Sequence, residues 1–131
     1  MGTNNGNHRV VITGIGIISP LGLDAVTTWN GLINGKSGID KITLFDASSH
    51  ATKIAAEVKD FDPNKYIDRK LVRRMDRFTQ LAVAASQEAI KDAQLVIDDS
   101  NRNDISVMVG SGIGGLITLE RAHVITYRGE Q

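Results

Sequence analysis

The chain has 131 residues, 41% of them apolar and 23% charged, which suits one folded domain with a packed core rather than a disordered chain. Fifteen basic residues balance fifteen acidic ones, so no global field draws the chain to nucleic acid, and attraction to an anionic partner requires local clustering. The absence of cysteine excludes disulfides, thiolate metal sites and a cysteine nucleophile within these residues, and fits a cytoplasmic location.

Residues 1–8 are polar and rich in Gly and Asn, and read as a flexible tail preceding a domain over 9–131. No apolar run approaches the ~20 residues needed to span a bilayer, so no membrane association is expected. Val10, Val11 and Ile12 form a mostly β-branched run ending at Gly14, which predicts a strand buried on both faces. Asp24 predicts the cap of a helix packing through Val26, Trp29, Leu32 and Ile33, with Gly35 as its terminator. Alternation of Ile54, Ala56 and Val58 with polar or small neighbours predicts a half-exposed strand, of the kind found antiparallel at sheet edges, closed off by Pro63.

Asp68 then predicts a short helix from Arg69 to about Met75, with Leu71, Val72, Met75 and Phe78 on one side. Arg69, Lys70, Arg73, Arg74 and Arg77 lie on the other. From Asp76 to Ala93 a longer helix aligns Phe78, Leu81, Ala82, Ala85, Ala89 and Ala93, small enough for close packing against a sheet. A polar loop over residues 98–103 leads to a second apolar strand, Ile105 to Val109, which enters the glycine-rich turn GSGIGG and a final helix from Leu116 to about Tyr127. The alternation of elements implies an α/β sheet with at least one parallel pair.

Gly14-Ile15-Gly16 after a strand suggests a dinucleotide-binding turn, but Ser19 replaces the third glycine, Pro20 removes a donor and no acidic residue is placed to hold a ribose. GSGIGG lacks the Gly-Lys-Ser/Thr ending of a phosphate loop. Both turns are better explained by close packing of strand on helix, and a nucleotide-binding module remains a distant alternative. His8, His50 and His123 have no partners in the pattern and are assigned no role. Asp76, Asp92 and the other carboxylates read as caps or helix-face groups. A bulky Ile113 among glycines reads, on pattern alone, as a packing plug.

Five segments in order resemble one family: VVITGIGIISPLG (residues 10–22), TWNGLINGKSGI (28–39), FDASSHATKIAAEVKDFDP (45–63), DRKLVRRMDRFTQLAVAASQEAI (68–90) and VGSGIGGL (109–116). Together they are similar to the N-terminal part of the β-ketoacyl-acyl carrier protein synthases, and Ile113 is similar to the type II elongating class. The resemblance implies a thiolase-like fold, layered αβαβα in the complete protein, working as a homodimer without metal or cofactor. It implies elongation of acyl chains by decarboxylative condensation of malonyl-acyl carrier protein with an acyl-enzyme thioester. It assigns Lys70, Arg73 and Arg74 to docking of the acidic carrier protein, and Ile113 to the acyl pocket. The family's catalytic cysteine, two histidines and lysine are expected beyond Gln131, so these residues hold no catalytic group. A polyketide ketosynthase and a non-catalytic chain-length-factor-like partner share much of the pattern.

Overall fold

In the computed structural model, which describes residues 9–129, the longest element is the helix α3 (Arg77–Asp92), to whose residues the segments 15–17, 58–61 and 72–75 are hydrogen-bonded. Among the described residues, four helices and one two-stranded sheet make up the regular structure: α1 (Ala25–Ile33), β1 (Asp40–Lys41), β2 (Ile54–Ala55), α2 (Arg69–Val72), α3, and α4 (Leu116–Arg128), with a 3₁₀ turn at Pro63–Lys65 before α2.

The Ala85, Ala89 and Ala93 side of α3 is approached closely as its small residues predict, but by the segment at residues 14–16 rather than by a sheet. The buried positions of the helix are Gln80 and Ala84. An ideal Cβ on Gly14 would stand 2.5 Å from the Ala93 amide nitrogen, and one on Gly16 would stand 2.6 Å from that of Ala89. Only glycine on the crossing segment permits this approach, because the obstructing atoms are helix backbone and, at Gly14, the Ala93 Cβ as well, none of which can give way. Polar bonds fix the crossing. The Ile15 N–H donates to Asp92 Oδ2 at 2.9 Å and the Ile17 N–H to Glu88 Oε2 at 3.0 Å. Glu88 uses its other oxygen on the Ala25 N–H, 2.7 Å away, at the start of α1. One carboxylate therefore satisfies the glycine turn and a helix N-terminus together, where the helix field favours negative charge.

The turn at residues 19–22 closes through paired backbone bonds between Ser19 and Gly22. The buried Thr28 hydroxyl donates to the Gly22 carbonyl at 3.2 Å and shares a 2.9 Å bond with Ser19 Oγ. Asp24 caps α1 by accepting the Thr27 N–H at 2.6 Å, and Gly35 ends it at φ 64° in the left-handed region. The packing face differs from expectation. Thr28 and Gly31 are the buried positions of α1, Gly31 lying against Leu21, whereas Val26, Trp29, Leu32 and Ile33 are exposed. Hydroxyl bonds and the close approach of Gly31 orient this helix, and its apolar stripe stays more than half exposed among the described residues.

The two predicted buried strands also differ. Residues 10–12 and 105–109 form no strand, and Val10, Ile12 and Met108 are 90%, 83% and 98% exposed. Among the described residues there is accordingly no parallel pair. An apolar segment of this kind gains strand geometry only when neighbours take its N–H and C=O groups and cover its faces. The predicted edge strand does form: β2 pairs antiparallel with β1, in the register Asp40 with Ala55 and Lys41 with Ile54. It is shorter than its alternation suggests and leaves Ile54 exposed.

Carboxylates rather than apolar packing close this ribbon. Glu57 accepts the Thr43 hydroxyl at 2.6 Å and the N–H groups of Thr43 and Leu44, while Asp40 pairs with Lys59 at 2.9 Å. The hydrogen bonds from Thr43 hold the Glu57 carboxyl below its usual range, and the bond from Lys59 does the same for Asp40.

Candidate functional site

Asp68 accepts the Lys70 N–H at 2.8 Å and starts α2, but the helix lasts only to Val72 and Arg73, Arg74 and Met75 continue as a turn. The predicted extension to Met75 is thus replaced by a tighter bend, held from α3. The buried Gln80 donates its Nε2 to the carbonyls of Val72 at 3.1 Å and Met75 at 3.0 Å, and the Val72 carbonyl also accepts the Met75 N–H at 3.3 Å, so the end of α2 and the bend after it are tied together.

Arg69, Lys70, Arg73 and Arg74 are all exposed. None of the four forms an ion pair among the described residues, where the two salt bridges are Lys59 with Asp40 and Arg102 with Asp99. Arg77 does not belong with them. Its guanidinium lies 4.7 Å from the centre of the Phe61 ring and donates to the carbonyls of Phe61 and Val58, so it fastens α3 to the strand-side loop. The basic stripe of five is in the structure a cluster of four plus one packing arginine. A compact group of unpaired cations on a surface bend can steer an acidic partner at long range, while contributing little to stability.

The second candidate element is the glycine-rich turn. Gly114 and Gly115 are left-handed, with φ 69° and 68°, and an ideal Cβ on Gly114 would crowd the Phe78 ring at 3.1 Å. Ile113 projects from this turn and is 77% exposed, so it plugs no packed site. A groove of about 390 Å³ runs beside the turn between α3 and the segment before it, lined by Phe78, Ala82, Val83, Ile90, Val107 and Val109. A smaller recess of about 300 Å³ lies between the start of α3 and that of α4. Ile113 lines neither.

The glycine turn at residues 14–16 is not arranged for a nucleotide. The amides of Ile15 and Ile17, which a pyrophosphate would need, are donated to Asp92 and Glu88, and those carboxylates would repel the anion. His50 packs edge-on against Phe45 at 5.3 Å, and His123 lies 4.4 Å from the Tyr127 ring. His8, and the tail predicted for residues 1–8, lie outside the described residues. No helix among the described residues is long and apolar enough to cross a membrane.

Residues 7–131 match the model of the β-ketoacyl synthase N-terminal domain. The chain belongs to the β-ketoacyl synthase family. It is 52% identical over 117 residues to 3-oxoacyl-[acyl-carrier-protein] synthase 2 of Staphylococcus aureus strain N315, covering 89% of this chain and 28% of the relative. It is 51% identical over the same length to the synthase 2 of Synechocystis, again covering 28% of that protein. This β-ketoacyl synthase chain thus spans little more than a quarter of the length of the curated relatives it matches. Among solved structures, the ishigamide ketosynthase/chain length factor aligns with a TM-score of 0.62 at 40% identity, over 68% of this chain and 22% of that one. The likeness places the chain in the thiolase-like α/β fold, and the family is one of condensing acyltransferases.

The sequence pattern offers Glu88, Asp92 and Asp76 only cap or helix-face roles, although each fixes a segment distant in the chain. Helical spacing shows that Glu88 and Asp92 share a face with alanines, but no pattern in the chain says that backbone N–H groups come to meet them.

Proposed function

We propose that this chain is the N-terminal part of a β-ketoacyl-acyl carrier protein synthase that elongates acyl chains in fatty-acid synthesis. The supporting observation is the 52% identity to a synthase 2 across 89% of the chain, which includes the GSGIGG turn and the basic bend. In this reading Lys70, Arg73 and Arg74 dock the acidic carrier protein, and their exposure and lack of intramolecular carboxylate partners suit that role. Ile113 lies on the wall of the acyl pocket, which requires further structure to close over a side chain that is open here. The working assembly is a homodimer in the cytoplasm.

The resemblance implies that a cysteine thiolate takes the acyl group from its carrier thioester, releasing the carrier thiol. Malonyl thioester then loses carbon dioxide, its enolate carbon attacks the acyl-enzyme carbonyl, and the carbon–sulfur bond breaks to return the thiolate. Oxyanion donors and neutral histidines stabilise the charge that develops. None of these groups lies in the described residues. The contribution of this segment is delivery and fit of substrate.

The deciding experiment reads the coding sequence beyond Gln131 and assays the complete protein with acyl- and malonyl-carrier protein. A cysteine nucleophile and carbon dioxide release coupled to chain extension are expected. The second reading, a non-catalytic ketosynthase-like partner, draws on the likeness to a ketosynthase/chain length factor. Another residue in place of the cysteine, with no condensation, selects it and refutes the first.

A further inference from the structure

Asp76 precedes α3 where an acidic residue ordinarily caps its own helix, yet its carboxylate bonds none of the first N–H groups of α3. It turns to α4, where Oδ1 accepts the Thr118 hydroxyl at 2.7 Å, a tie across 42 positions. Its other oxygen stands 3.6 Å from the ideal Cβ position of Gly115, beside the glycine turn. That turn carries two successive left-handed glycines, which have little preference of their own, so its placement depends on what holds its ends. One end leads into α4 and is held by Thr118, which Leu116 and Ile117 join to the turn. On the other side, one turn along α3, Gln80 grips the carbonyls of Val72 and Met75 in the basic bend. Residues 76–80 therefore hold the turn bearing Ile113 and the bend bearing Lys70, Arg73 and Arg74 in one frame.

We propose that Asp76 is a positioning residue: through Thr118 it fixes the glycine turn on the start of α3, and the chain-length selectivity exerted at Ile113 depends on that hydrogen bond. The selectivity rests on the function proposed above, whereas the tie itself does not.

The test uses the complete protein with three variants. Thr118→Val removes the hydroxyl at nearly constant shape, Asp76→Ala removes the acceptor, and Asp76→Asn keeps an acceptor oxygen and serves as rescue. The first readout is amide hydrogen exchange at the start of α4, beginning with Leu119, whose N–H donates to the Gly115 carbonyl at 3.0 Å. Thr118→Val and Asp76→Ala should speed it by about threefold, the scale of one partly exposed hydrogen bond, and Asp76→Asn should restore it. The second is the ratio of kcat/KM for long and short acyl primers, which should shift about threefold in the same two variants, with the KM for carrier protein unchanged. The double variant Asp76→Ala with Thr118→Val should be no worse than the poorer single one, because both remove the same bond. Unchanged exchange in Thr118→Val overturns the tie, and faster exchange with an unchanged primer ratio overturns the selectivity role. A complete protein that condenses no carrier substrate refutes the proposed function instead, and the exchange result still decides the tie.

Discussion

Replacing Gly16 with alanine should separate the residue 14–17 segment from α3, whereas the same change at Gly110 should be tolerated. At Gly16 the new methyl would lie 2.6 Å from the Ala89 nitrogen and 2.9 Å from the Ala85 carbonyl carbon, and it would also meet the Ala85 oxygen. All three are helix backbone, so the segment itself must move. Overpacking of this kind costs about 1–3 kcal/mol. The movement also weakens the bonds from the Ile15 and Ile17 N–H groups to Asp92 and Glu88, each worth about 1 kcal/mol at a partly exposed site. A total of about 3 kcal/mol follows, more than a hundredfold in a local opening equilibrium. Gly110 has no atom within 4 Å of its ideal Cβ and needs no left-handed backbone, so alanine there should be neutral or stabilise by about 0.5 kcal/mol through the unfolded chain. Amide hydrogen exchange at Ile15, Ile17 and Ala25 reads the difference directly. Equal protection of these amides in Gly16→Ala and Gly110→Ala would refute the close-packing argument.

Charge reversal at Arg73 and Arg74 in the complete synthase should slow association of carrier-bound substrate by about tenfold at low salt, with coenzyme A thioesters little affected; equal losses for both, or no salt dependence, would count against docking there. Ile113→Phe should discriminate against long primers while short ones still react, and an unchanged chain-length profile would remove Ile113 from the pocket. The ribbon of β1 and β2 should loosen in acid: the folded-state pKa values of Glu57 and Asp40 are depressed, so their stabilisation is complete above the ordinary carboxylate range and is lost as pH falls through the lowered values. Nuclear magnetic resonance of the Thr43 and Leu44 amides checks this, and shifts that stay constant from neutral pH down to about pH 2 would contradict it. The 131-residue chain should bind a hydrophobic dye and self-associate, given its exposed apolar segments at residues 10–12 and 107–109, and should show no condensing activity; a cooperatively melting monomer without dye binding would refute the structural part.

Local signals were legible in the sequence wherever a single residue type determines the outcome. The caps at Asp24 and Asp68, the left-handed terminator Gly35 and the small-residue face of α3 follow from short-range sterics and hydrogen bonding. The orientation of α1 did not follow from its apolar stripe, because the Thr28 hydroxyl and Gly31 settle which side meets Leu21 and the residue 19–22 turn. The buried strands that the sequence predicts at residues 10–12 and 105–109 do not form among the described residues, because pairing is a property of neighbours that strand propensity cannot see. For the candidate site, charge density located the basic bend and only the structure removed Arg77 from it. Asp76 looked like a helix cap because propensity describes a residue's own helix and says nothing of Thr118, 42 positions away.

The outward stripe of α1 also furnishes a spectroscopic handle. Trp29 is the single tryptophan of the chain and stands 62% exposed on that stripe, while its neighbour Thr28 is buried against the preceding turn. Its indole emission therefore reports on one face of one helix, without contributions from any other tryptophan. A water-exposed ring emits at long wavelength and is open to collisional quenchers, and covering it by any protein surface reverses both properties. Titration of a candidate partner can thus be followed without a label, and the blue shift identifies the face that has been covered.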